Sequence, residues 1–198
     1  MAPWKITTVE REVAWPTLEA KRFKILPHVM LPSHEFSLWI DGRIEIIEPV
    51  QLHELAGQYL GDADIAMFAH GKRTCIYEEA WECIKQKLDD KEIIYDQIAR
   101  YTRDGYPSNN GLHEASVILR RNTEQMRKFN EAWWEEIQRG SIRDQISFDY
   151  LAHKHELRVA QFPGDFYAGN RYFLRGARGS AERNHASAIH LTLTAGTI

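Results

Sequence analysis

Three short polar clusters carry groups that can do chemistry: Asp41-Gly42-Arg43, His70-Gly71-Lys72-Arg73, and Arg120-Arg121-Asn122, the last preceded by His113-Glu114. Asp41 ends an apolar run, FSLWI. A carboxylate at the end of a strand can hold a divalent cation, and that cation can neutralise a departing diphosphate. Gly42 removes side-chain bulk where a ligand would approach the backbone. Asp-Gly is also a strong hairpin-turn dipeptide, so a turn and a site both stand here. Lys72 and Arg73 offer charge-assisted hydrogen bonds to phosphate, or simply a solvated loop. Glu114 can serve as base, nucleophile or hydroxyl acceptor, or cap a strand. Farther on, Arg143-Asp144-Gln145 puts a donor, an acid and an amide within one turn, where Ser141 or Asp144 can equally be a helix cap.

These clusters need elements to position them. Strands are expected at 4–9, 36–40, 43–47, 64–69 and 115–119, from their β-branched and apolar runs. Helices are expected at 17–30, bent or ended by Pro27, and at 49–59, 77–88, 92–103, 124–139 and 144–154. Residues 107–111 (PSNNG) are a turn cluster, and much of 162–179 reads as loop. The last residues, AIHLTLTAGTI, are a strand or a tail. Strands alternating with helices argue an α/β fold with a mostly parallel sheet flanked by helices. Ligands of such sheets bind outside the carboxyl ends of the strands. Trp39 is then expected inside and Asp41 at a strand's carboxyl end, with Asp41, His70, Glu114 and Asp144 lining one pocket. Adjacent on one helix, Trp133 and Trp134 point in different directions; one reads as core, and for the other core is the better reading and a sugar-stacking platform the alternative.

The 198 residues fit one domain, and a net charge of −3 gives no basic excess of the kind nucleic-acid binders show. No run approaches the ~18 apolar residues of a membrane span. Cys75 and Cys83 stand eight apart, about 12 Å along a regular helix and too far for a disulfide within it. Both read as reduced thiols, a cytoplasmic setting. The nine histidines form no HExxH or Cys/His zinc pattern.

Four stretches in order, KRFKILPHVMLPSHEFSLWIDGRIEI, DIAMFAHGKRTCIYEEAWECI, YTRDGYPSNNGLHEASVILRRN and FNEAWWEEIQRGSIRDQISFDYLAHK, resemble the glycosyltransferase-like family of plant cell-wall and mucilage proteins and bacterial polysaccharide loci. They cover roughly residues 20 to 155. The resemblance implies a GT-A-like nucleotide-sugar-transferase fold, in a domain spanning 1–160, with 161–198 a loop or tail packed on it. It implies transfer from a nucleotide-sugar donor to a glycan or other hydroxyl acceptor, as in polysaccharide biosynthesis. Asp41 matches the first acid of a DxD-like motif, and with it Mn²⁺ or Mg²⁺ is expected. Lys24 and His28 match the element before it. His70, Arg73, Glu78 and Glu79 match the segment after the next strand, and Glu114, Arg120, Arg143, Asp144 and Gln145 match later motifs. Arg43, Lys72 and Arg73 are expected to assist at phosphate. Asp144 is the first choice of catalytic base and Glu114 the second. Asn170, Tyr172, Phe173 and His185 resemble remnants of a closing segment.

Two departures qualify that picture. Arg43 stands where a DxD motif carries its second acid, which puts metal dependence in question. The strands that hold the nucleotide base in the family are not recognisable ahead of WKITTVE, so the sheet is expected to have an open edge there. That edge is expected to be covered by AIHLTLTAGTI or by a second copy of the chain, as a homodimer. The alternatives to an enzyme are a non-catalytic sugar- or nucleotide-binding module, or a subunit completed by another chain.

Overall fold

The computed structural model describes residues 5–6, 12, 14–48, 51–167, 169–175 and 191–192, with the backbone alone at 5–6 and 191–192. Strand β1 is Lys5–Ile6. Helix α1, Pro16–Ile25, starts with Pro16 in its first turn, where a missing N–H costs nothing. Pro27 breaks the expected longer helix and opens the short α2, Pro27–Met30. Strand β2, Phe36–Ile40, passes through a turn closed by the Ile44 N–H on the Asp41 carbonyl (2.9 Å) into β3, Ile44–Ile46. Next come α3, Leu52–Tyr59, and β4, Ile65–Ala69. Helices α4, Ile76–Lys85, and α5, Lys91–Arg103, precede the long β5, His113–Arg121. Then follow α6, Glu124–Arg139, α7, Asp144–Lys154, and the strands β6, Val159–Gln161, β7, Phe173–Arg175, and β8, Leu191–Thr192.

The main sheet has the order β2-β5-β4-β6. Its central strand β5 runs antiparallel to both β2 and β4, and only β4 and β6 are parallel. The class is mixed α/β with helices on the sheet, but the expected mostly parallel sheet is corrected to a mostly antiparallel one. Alternation of strand and helix along the chain carries no information on direction. Here β2 and β4 do run the same way, yet β5 lies between them with the opposite sense. The expected edge pairing is also changed in kind. Lys5 and Ile6 do pair with Thr192 and Leu191, antiparallel, but as a separate two-stranded ribbon outside the main sheet.

Side chains alternate along each strand, so both faces of the sheet are buried. Ile65 and Met67 of β4 and Ile118 of β5 face a core with Phe129, Trp133 and Phe148 from α6 and α7. Ala66, Phe68, Val117 and Leu119 face a second core with Leu55 of α3 and with Phe162, Phe166 and Phe173. This double burial explains why β4 reads as an unbroken apolar run, IAMFA. Trp133 is core, its indole N–H donating to Ser147 Oγ (3.0 Å), and Trp134 packs half-buried against the same core. Among the described residues no helix is long and apolar enough to cross a membrane. Cys75 and Cys83 are buried free thiols, and burial pushes the Cys83 thiol up to about 11.

Because β5 is antiparallel to its neighbours, the carboxyl ends of β2, β4 and β6 and the amino end of β5 meet at one end of the sheet. The β4–β5 register slips there. Met67 faces Ile118 while the next residue, Phe68, faces Glu114. Residues 115–117 are thus bulged from β4 while Val117 still pairs with Ile40 and the Asp41 N–H reaches the Ser116 carbonyl (2.9 Å). Such bulges re-aim side chains next to functional sites.

Candidate active site

A narrow cavity of about 30 Å³ lies at this end, bounded by Asp41, Arg43, Glu114, Ser116, Tyr167 and Arg175. Each carboxylate is anchored. Asp41 Oδ1 accepts the Trp39 indole N–H at 2.7 Å and lies 3.5 Å from Lys24 Nζ. Glu114, 5% exposed, accepts the Ser116 hydroxyl on Oε1 (2.7 Å) and the Tyr167 hydroxyl on Oε2 (3.0 Å). Burial and then Glu114 push the Tyr167 phenol up to about 12, so it stays a donor.

His70 follows β4 and is fixed by its own loop. Its Nδ1 accepts the backbone N–H groups of Lys72 (3.2 Å) and Arg73 (3.0 Å). Arg73 Nη2 lies 3.3 Å from the other ring nitrogen, Nε2. That atom lies 3.9 Å from Glu114 Oε2 and 4.0 Å from Glu79 Oε2. Burial holds the His70 pKa below the usual histidine value, although Glu114 opposes this, so the ring is neutral near pH 7. Arg73 is committed to Glu79, with Nε at 2.7 Å. Lys72 Nζ stands 5.9 Å from the Tyr167 ring centre. The loop packs closely at Gly71: a Cβ there would meet Asp165 Oδ2 at 2.6 Å and displace a carboxylate whose other oxygen accepts the Tyr167 N–H at 2.6 Å.

A buried ion cluster lies behind Asp41. Asp144, 3% exposed, meets Lys21 Nζ at 2.6 Å and Lys24 Nζ at 2.7 Å, and Lys24 bridges from it to Asp41. Burial alone would raise the Asp144 pKa, but Lys21 and Lys24 hold it far below the carboxylate range. Burial draws Lys21 down to about 8 in spite of Asp144, while the two aspartates overcome burial at Lys24 and raise it.

The structure therefore brings Asp41, Arg43, His70, Lys72, Arg73 and Glu114 to one place, with Lys24 and Asp144 a layer behind. Glu79 joins through Arg73 and His70. Arg143 and Gln145 flank Asp144 at the start of α7, Gln145 nearly buried. Arg120 is not brought in. Its register partners Ser37 and Ile65 begin their strands, at the far end of the sheet. There it is buried and donates to the Lys24 carbonyl and to Asn130 Oδ1. His28 lies with it, 3.5 Å from Asn130 Nδ2 and 3.6 Å from Glu131. Asn170 holds the Tyr172 and Phe173 N–H groups in a turn and Phe173 is core, while His185 lies outside the described residues.

Sequence reasoning missed Tyr167, Arg175, Ser116 and Lys21. Tyr167 and Arg175 sit in a stretch without periodicity. Lys21 had a signal, since it stands one helical turn from Lys24 and shares its face. A much larger cavity, about 880 Å³, opens beside α7 and β6 and holds neither Asp41 nor Glu114. It adjoins His113, whose Nδ1 and backbone N–H are both held by Asp149 (2.5 and 2.9 Å). Size alone would select it, but the convergence of anchored acids and bases selects the smaller one.

Mn²⁺ and Mg²⁺ at such sites are held by one or two carboxylates with waters and substrate phosphates in near-regular geometry, and this donor set fits them poorly. One Asp41 oxygen and both Glu114 oxygens already accept protons, and two guanidinium-bearing residues share the cavity. Among the described residues no group of three or more His, Cys, Asp or Glu side chains could hold a metal ion.

The family model described as TOD1/MUCI70, glycosyltransferase-like domain, matches residues 2–167. The chain is 33% identical over 154 residues to the probable hexosyltransferase MUCI70 of Arabidopsis thaliana, covering 70% of this chain and 26% of that protein. It is 25% identical over 160 residues to the alkaline ceramidase TOD1 of the same plant, covering 74% of this chain and 34% of that one. The chain thus spans about a quarter to a third of the length of these relatives. No solved structure matches it. With the match running through every residue of the cavity except Arg175, the chain belongs to the TOD1/MUCI70 glycosyltransferase-like domain family.

Proposed function

We propose that this chain is a hexosyltransferase of GT-A type, moving a sugar from a nucleotide-sugar donor to a hydroxyl acceptor in glycan or polysaccharide synthesis. The observation that carries the reading is the Tyr167 hydroxyl on Glu114 Oε2 at 3.0 Å, in the cavity that also holds Asp41. It supports the reading because it shows a hydroxyl proton within reach of a fixed carboxylate. In the reaction an acceptor hydroxyl takes that place and gives its proton to Glu114. Its oxygen bonds to the anomeric carbon as the bond from that carbon to the diphosphate oxygen breaks. The neutral His70, its Nε2 3.9 Å from Glu114 Oε2, adds no charge beside the base. Asp144 serves differently, as the anion that holds Lys24 against Asp41, so Glu114 takes the base role.

The test is a donor screen on the purified chain, reading nucleoside diphosphate release and product mass. Glu114→Gln should lower transfer by about 10²–10⁴-fold, with melting unchanged. Full transfer by that variant sinks the assignment. A donor that binds without turnover in the wild-type chain makes it a binding module instead.

A further inference from the structure

The site that lacks a fitting metal donor set holds two arginines beside two carboxylates that already have partners. The β3–β7 ladder sets Arg175 opposite Ile44, the residue after Arg43, so two arginines from distant parts of the chain line the same cavity. Neither guanidinium has an ion pair among the described residues. The Arg175 guanidinium stands 4.9 Å from the Tyr167 ring centre, and Lys72 Nζ stands 5.9 Å from that same ring. Asp41 and Glu114 are the anions of the cavity, and both already have their own donors. Unpaired like charges held together repel, and they repel less once an anion lies between them. Guanidinium groups bind phosphate oxygens in bidentate fashion.

We infer that Arg43 and Arg175, with Lys72 beside them, bind the diphosphate of the donor directly and take the place of a divalent cation. This rests on the transferase reading only for the identity of the ligand. Arg43 stands where a metal-dependent motif has its second acid, so one residue both removes a metal ligand and supplies the charge that the metal would have brought. When the bond from the anomeric carbon to the diphosphate oxygen breaks, that oxygen leaves on a dianionic terminal phosphate, stabilised by these two guanidinium groups.

Inorganic pyrophosphate is the probe, titrated calorimetrically into the full chain in EDTA and, separately, with Mg²⁺. Binding is expected in EDTA, weakened at least tenfold by Arg43→Ala and by Arg175→Ala. Arg43→Lys should retain part of the affinity, and Mg²⁺ should add none. Circular dichroism and melting establish that each variant is folded. Three results overturn the inference: binding that requires Mg²⁺, binding in EDTA that both alanine variants retain, or no binding in either condition. The two proposals fail separately. Glu114-dependent transfer together with Mg²⁺-dependent binding removes only this one. Arginine-dependent binding in EDTA with no transfer from any donor removes only the transferase reading.

Discussion

Asp144 and Glu114 are both acids shielded from water, and their partners set their tasks. Asp144 faces two ammonium groups, whereas Glu114 faces two hydroxyls. Removing the Asp144 charge leaves Lys21 and Lys24 close together with only Asp41 near them. Breaking a buried pair in this way costs about 3–5 kcal/mol. Asp144→Asn should therefore melt roughly 6–20 °C lower, taking about 2–4 °C per kcal/mol for a domain of this size. Scanning calorimetry decides, and a wild-type melting temperature in that variant contradicts the role. Glu136 makes the matching pH argument. It is 1% exposed and accepts from Arg100, Tyr101, Arg139 and Gln97. Burial opposes its ionisation, but Arg100, Tyr101 and Arg139 outweigh it and bring its pKa from 4.5 to about 2. A carboxylate with a depressed folded-state pKa contributes stability that is complete above its unfolded value and lost as pH falls through the folded one. Urea unfolding of the wild-type chain should thus weaken between about pH 4.5 and 2. Glu136→Gln should be weaker at pH 7 and lose less over that interval. An unchanged acid limb in the variant refutes the assignment.

At the scale of elements, ends are set by local chemistry. Asp90 accepts the N–H groups of Glu92 (2.8 Å) and Ile93 (3.4 Å) and so starts α5. Asp90→Ala should cost about 1 kcal/mol, a fall of about 2–4 °C in melting; no change would mean that packing alone holds the helix. Thr123 starts α6 in the same way. Caps and apolar patterning made α6, α7 and β2 legible residue for residue, although neither Ser141 nor Asp144 caps α7, and Pro27 placed the break after α1. Asp41-Gly42 proved to be a turn and a cavity wall together, so the two readings were not rivals. What stayed hidden was non-local. Strand direction depends on partners, and β7 is a strand only because β3 lies beside it. Arg120 looked like Arg43 in sequence, yet strand direction carries it to the opposite end of the sheet. Tyr167 and Arg175 reach the cavity through a backbone that has no period to read.

At the scale of the molecule, the strand that supplies Glu114 is also the strand on which the sheet depends. Both β2 and β4 hydrogen-bond to β5, and they do not touch each other. Phe36 must wait for Arg121 and Ile65 for Arg120 before either strand has a partner. During synthesis, at about 5–20 residues per second, the roughly eighty residues between β2 and the end of β5 take about 4–16 s to appear. Through that interval FSLWI and IAMFA are apolar strands with open edges on a nascent chain. Helices α4 and α5 can form in the meantime, since their hydrogen bonds are local, but the sheet cannot. The arrival of β5 then pairs both strands and forms the bulge that aims Glu114, while the two cores and the cavity wait for α6, α7, Tyr167 and Arg175. Until β5 arrives the growing chain therefore exposes strand edges of the kind that chaperones cover.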